Sequence, residues 1–248
     1  MSGGTGAAIQ AAKKGALPRP ERILVVAAHP DDEALGLGGT IARLAGEGAE
    51  VMVAFMTCGA YSEAEMVWRP DSTLTGAGPA PAPWAGPCKL GASATRWSGI
   101  LADNALDGGL RLHLAQKVER WIGEWAPAAV YTHSPADCNI DHRLTFEAVL
   151  AATRPTPGCL IKALYSFEVP SATEWAFGTF GNFGGNLFVM LPPAALAAKL
   201  KALECYGDQM RPTPHPRSEA GVRVLAAWRG AMVGVEAAEA FELVRWVR

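Results

Sequence analysis

The 248-residue sequence predicts an α/β protein: a single domain on an open, mostly parallel, Rossmann-like sheet with helices on both faces. Three observations predict it. Apolar runs of strand length alternate with segments of helical periodicity, the order of a sheet covered on both sides. The first run, Ile23 to Ala28, is apolar at every position instead of alternating, as strands buried on both faces are. Half the residues are apolar, enough to bury a sizeable core.

Residues 1–20 hold Gly, Ala and Lys with two prolines and read as a loose lead-in to a domain over 21–248. Ile23 to Ala28 is the first strand. Residues 34–46 show helical spacing at Leu35, Ile41 and Leu44 and end at a "GEG" break; Glu50 to Thr57 is the second strand. Such a strand–helix–strand unit crosses over right-handed. Residues 68–92 are too rich in Pro and Gly for regular structure and read as a lid, a binding loop or disorder. Leu112 to Trp125 is helical, with Leu112, Leu114, Val118, Trp121, Ile122 and Trp125 on or near one side. Ala128 to Thr132 is a strand leading into His133, residues 141–153 are helical, and Leu160 to Glu168 and Asn186 to Met190 are strands. Pro192 to Tyr206 is a helix with Pro near its start. Val235 to Val247 mixes helix-forming Ala and Glu with an apolar end.

A formal charge of −2 gives no electrostatic reason to expect nucleic acid or an anionic membrane as partner. The longest apolar runs fall far below the ~20 residues that span a bilayer. Lys13 and Lys14 are not followed by an apolar stretch of the signal-peptide kind. The cysteines, at 58, 88, 138, 159 and 205, are odd in number and form no CxxC pair, which favours reduced thiols and a cytoplasmic location. Oligomeric state, including a homo-oligomer, is left open.

Chemistry concentrates behind the first strand, in "AHPDDE", residues 28–33. Ligands of such sheets bind at the carboxyl ends of strands. Residues three apart across a first helical turn share a face, so His29 and Asp32 can point at one atom while Asp31 points aside. A histidine nitrogen with a carboxylate oxygen suits a divalent ion such as zinc. The competing reading has the acids merely capping the helix. "GLGG", residues 36–39, fails as a dinucleotide loop, because the fingerprint needs its glycines directly after the strand and the acids would repel a pyrophosphate. Those glycines instead let the helix lie close to the sheet.

A catalytic zinc takes three protein ligands. In "YTHSPADCNIDHRLTFEAV", residues 131–149, another strand ends at His133 and Asp141-His142 opens a helix. His142 can therefore meet His29 and Asp32, whereas His113 sits in an amphipathic helix. Two rival functions are a metal-free binding protein and a cysteine hydrolase built on Cys138 with His133 or His142.

"AHPDDE" before a Gly-rich helix start, followed by "DHR" at 141–143, resembles the PIG-L (LmbE-like) deacetylases; "FEVPSATEW", "ALECYGDQMRPTPHPRSE" and "RGAMVGVEAAEAFELVR" are similar to stretches of one bacterial branch. The resemblance implies zinc-dependent hydrolysis of N-acetyl groups, chiefly on glucosamine-containing sugars and glycoconjugates. It implies His29, Asp32 and His142 as ligands and Asp31 as general base. Asn139 stands where many members have a histidine that helps stabilise the oxyanion, and Ala105 where arginine is common. The insert at 68–92 sits where a helix is expected. An amide hydrolase of this kind needs an oxyanion donor, and losing one typically costs about 10²–10³ in kcat. Besides Asn139, His215 in "PHPRS" is the candidate, with His133 behind it or orienting a ligand. For the sugar, Trp84, Glu168, Ser171, Thr173, Glu174 and Trp175 are candidates, and Arg217 for a phosphate or carboxylate on the substrate.

Overall fold

The computed structural model describes residues 22–57, 90–91, 94–101, 106–108, 111–159, 161–207 and 209–248. The lead-in, Trp84, Ala105 and nearly all of 68–92 lie outside the described residues.

Strands β1 (Arg22–Ala27), β2 (Glu50–Thr57), β3 (Ala94–Leu101), β4 (Ala129–His133), β5 (Ala163–Phe167), β6 (Leu187–Met190) and β7 (Ala238–Trp246) form one sheet in the order β3-β2-β1-β4-β5-β7-β6. The first five pair in parallel. β7 runs antiparallel to both β5 and β6, so the Ala- and Glu-rich C-terminal tract is a strand.

Alternation along β1 divides the core. Ile23, Val25 and Ala27 face one side, with α1 (Asp32–Gly46), α4 (Pro193–Leu203) and Val222 of α5 (Glu219–Ala231). Leu24 and Val26 face the other, with Leu114, Val118 and Trp121 of α2 (Arg111–Trp125) and Leu144 and Val149 of α3 (Ile140–Ala152). Helices thus cover both faces. Among the described residues no helix is long and apolar enough to cross a membrane.

The glycines of α1 bring it close to the sheet, as the sequence predicts: a Cβ on Gly36 would run into the Phe167 ring, and one on Gly39 into Leu191. The helix breaks at Leu37 (φ −142°, ψ 23°). A buried ion pair supplies the bonds the break leaves open. Glu239 accepts the N–H groups of Gly39 (3.0 Å) and Thr40 (2.6 Å). Lys199 donates to the Leu35 carbonyl (2.7 Å) and to Glu239 (2.6 Å). Orphan backbone groups at a helix end need such partners when water is excluded.

The chain winds from β1 to β2 and β3 in one direction and through β4 and β5 in the other. The carboxyl ends of β1 and β4 therefore flank a topological switch point, where open α/β sheets bind ligands.

Candidate metal centre

β1 runs into the His29–Asp31 turn, which is tied to the start of α1 because the Asp32 carboxylate accepts the His29 N–H at 2.8 Å. β4 ends at His133, and Asn139 caps α3 by accepting the Asp141 N–H at 2.8 Å. These two strand ends bring His29, Asp32 and His142 together, with one ligand atom from each within 4.8 Å of the others. Asp32 and His142 are fully buried, and His29 keeps 12% of its side chain exposed.

The donor set fits a divalent cation. His142 Nε2 lies 3.3 Å from Asp32 Oδ2, and buried Asp32 Oδ1 has no hydrogen-bond partner among the described residues; such an atom is rarely left unsatisfied without an ion or water to meet it. Two imidazoles and one carboxylate are borderline donors suited to zinc. Carboxylates behind the histidines complete the arrangement. His142 Nδ1 lies 3.0 Å from Asp137, which accepts a hydrogen bond from the Thr173 hydroxyl at 2.9 Å. His29 Nε2 lies 3.1 Å from Asp141.

Electrostatics separate the acids. Burial opposes charge on Asp32, but His142 and His133 outweigh it and hold its carboxyl well below the usual range. Burial, and then the Asp32 charge, push Asp31 up to about 7 against the pull of Arg217, His29 and His142. Burial likewise pushes Glu33 up to about 8. For His142, burial is outweighed by Asp32 and Asp137, and its pKa rises to about 9.

Asp31 makes no cap hydrogen bond to α1, so the capping reading does not account for it. Its backbone is at φ 126°, ψ −28°, a conformation residues with a Cβ rarely adopt. Its carboxylate accepts from Arg217 Nη1 at 3.0 Å, and Arg217 Nε donates to Ser171 Oγ at 2.8 Å. Arg217 and Ser171, both expected at the substrate, form a chain to Asp31 in which Arg217 holds the carboxylate and Ser171 holds Arg217.

Four residues expected at the substrate are engaged elsewhere in the structure. His133 is fully buried, its Nε2 accepts the Ala28 N–H at 2.8 Å, and its ring stacks on His142 with centroids 4.0 Å apart. It braces the candidate ligand His142 from within, shielded from solvent. Glu168 is taken by a two-pronged pair with Arg229 at 2.7 and 2.6 Å, and Glu174 accepts the Ser171 N–H at 2.6 Å. Thr173 lies buried on Asp137. The α3 cap uses the side-chain oxygen of Asn139 and leaves untouched the Nδ2 donor that the oxyanion expectation concerns.

Trp175 is 43% exposed and meets the His215 ring edge-on, with centroids 5.3 Å apart. His215 Nδ1 accepts the Arg217 N–H at 3.0 Å, which places the proton of the neutral ring on Nε2. Burial, and then Asp137, push the Cys138 thiol up, away from thiolate, which disfavours the cysteine-hydrolase reading.

The sequence offers Glu33 no role beyond helix capping, and Asp137 and Asp141 none at the site. The signal for the last two was present nonetheless, since acids stand five residues and one residue before the candidate ligand His142 in "ADCNIDH".

Fold and cluster together define an open α/β protein with a candidate divalent-cation centre at its switch point. The chain belongs to the PIG-L family: the family model described as GlcNAc-PI de-N-acetylase matches residues 24–153. A 1D-myo-inositol 2-acetamido-2-deoxy-alpha-D-glucopyranoside deacetylase of Actinosynnema mirum is 51% identical over 51 residues, 21% of this chain and 17% of the relative. The match thus spans under a fifth of that relative's length. Among solved structures, the N,N'-diacetylchitobiose deacetylase of Pyrococcus horikoshii superposes with a TM-score of 0.68 at 19% identity, covering 99% of this chain and 94% of its own. A 4-carboxy-2-hydroxymuconate hydratase of Pseudomonas putida superposes with a TM-score of 0.62 at 21% identity, covering 92% and 97%. Likeness at these identities is one of fold, and the fold hosts more than one chemistry.

Proposed function

We propose that the protein is a metal-dependent amide hydrolase that removes an N-acetyl group from an amino sugar or sugar-containing conjugate, with zinc as its metal. The observation that carries this reading is the convergence of His29, Asp32 and His142 beside an Asp31 whose side chain belongs neither to the trio nor to a cap bond on α1. Family membership and the named activity of the Actinosynnema mirum relative support the substrate class.

His29, Asp32 and His142 would hold the ion, which when bound supplies a Lewis acid and a water of lowered pKa. The chain's own residues do the rest. Asp31, buried and lifted to about 7, is matched to taking a proton from water near neutral pH and returning it to the leaving amine. Arg217 fixes the carboxylate, and Ser171 fixes Arg217. His215, with its proton on Nε2, is the donor assigned to the developing oxyanion, and Trp175 beside it is the sugar platform.

A panel of N-acylated sugars, scored for released primary amine with metal-loaded and chelator-treated protein, tests the reading. Amine release that disappears on chelation and returns with zinc is expected. Stoichiometric zinc without release from any N-acetyl sugar contradicts the substrate class. Release that survives full metal removal contradicts the mechanism.

A further inference from the structure

The segment of α1 that precedes its break, Asp32 to Gly36, and the Asp31 turn before it are anchored from one side by α4 and the 3-10 turn that follows, Glu204–Tyr206. Lys199 of α4 holds the Leu35 carbonyl. At the other end, the Tyr206 hydroxyl donates to Glu33 Oε1 at 2.6 Å, and Glu33 Oε2 accepts the Asp31 N–H at 3.1 Å. Glu33 is fully buried and Tyr206 is 3% exposed, so water does not compete for these bonds.

Two facts make this more than packing. Asp31 sits at φ 126°, and a conformation so sparsely populated persists only where its surroundings over-determine it. The Glu33 carboxyl bonds the very amide whose orientation defines that conformation. A third buried carboxyl beside Asp31 and Asp32 is also an expensive way to fill space, since an apolar side chain would pack there at lower cost.

We propose that Glu33 and Tyr206 are positioning residues for Asp31: the Tyr206–Glu33 pair clamps the Asp31 amide, Arg217 clamps its carboxylate, and the two together aim the side chain at the His29–Asp32–His142 cluster. The role in turnover rests on the deacetylase reading; the role in setting the Asp31 backbone does not.

Tyr206→Phe, which removes one oxygen, is assayed in the full metal-loaded chain on an N-acetylated sugar that the wild type deacetylates. kcat is expected to fall roughly ten- to a hundredfold, as for other residues that orient a reacting group. KM stays within about twofold and zinc per chain is unchanged, because the group acts after binding. Glu33→Gln, which still accepts the Asp31 N–H, retains more of the rate than Glu33→Ala. An unchanged kcat in Tyr206→Phe, or a rise in KM alone, overturns the proposal. Crystal structures of Tyr206→Phe and Glu33→Ala test it without turnover. Asp31 relaxing to negative φ in either supports the clamp, and φ retained in both overturns it. A wild type that releases no amine sinks the deacetylase reading alone, and the Asp31 backbone in the variants still decides the clamp.

Discussion

Asp31→Asn lowers kcat by roughly 10²–10⁴, the span a general acid–base group contributes, and at the same time makes the metal-free protein more stable. Both effects come from one side chain. The wild-type carboxylate is buried, lies beside Asp32 and sits on a strained backbone, and burial and Asp32 raise its pKa from 3.8 to about 7. Asparagine has the same shape without the charge and tolerates positive φ better than most residues. Arg217 keeps its bonds to Ser171 and the Pro170 carbonyl when the carboxylate goes.

The sign of the pH dependence follows. A carboxyl whose pKa is raised by folding favours the protonated folded chain. Its contribution to stability is whole below about pH 4 and is lost as pH rises through about 7. The variant lacks this loss, so its advantage opens between those limits and levels off above them. Each kcal/mol of relief raises Tm by roughly 2–4 °C in a chain of this size. Melting curves from pH 4 to 8 check it. A variant that melts below wild type at pH 8 contradicts the electrostatic account, and near-normal turnover removes Asp31 from the base role. Activity held at the expense of stability is a common bargain at reacting sites.

Lys199→Met carries the largest expected loss of stability. Lys199 is 3% exposed and Glu239 4%, and their ion pair spans the break in α1. Removing one member of a buried pair strands the other, at a cost of about 3–5 kcal/mol. Glu239 would keep its two backbone donors at Gly39 and Thr40 but lose its counter-charge. The double variant Lys199→Met, Glu239→Gln recovers part of the loss because no bare charge remains. Urea titration of the three chains measures it. A single-variant loss under about 1 kcal/mol would put the pair on a par with a surface salt bridge and deny it the splinting role.

Where the sequence was readable, periodicity and position carried the information. The uninterrupted apolar run of β1, the acids behind it and the second polar strand end at His133 and His142 were enough to expect a cluster at a switch point. β7 was obscured because Ala and Glu favour helix locally, and pairing with β5 and β6 overrides that preference. The helix Glu219–Ala231 left little trace, since it buries small residues, Ala226 and Gly230 alongside Val222, and exposes Val224 and Trp228. The surroundings of the site were hidden for another reason. Glu168 looked free until Arg229, 61 residues on, was found to claim it, and Asp31 depends on Arg217, 186 residues away. Spacing reveals groups that share a turn; it carries no information about a partner brought in by the fold.

The central claim is that His29, Asp32 and His142 share one cation. Anomalous diffraction at the zinc edge from zinc-loaded crystals tests it most directly. The account predicts a single strong peak about 2.0–2.2 Å from one atom of each of the three side chains. A zinc-loaded crystal with no peak among them, or with the ion held by other residues, would contradict it.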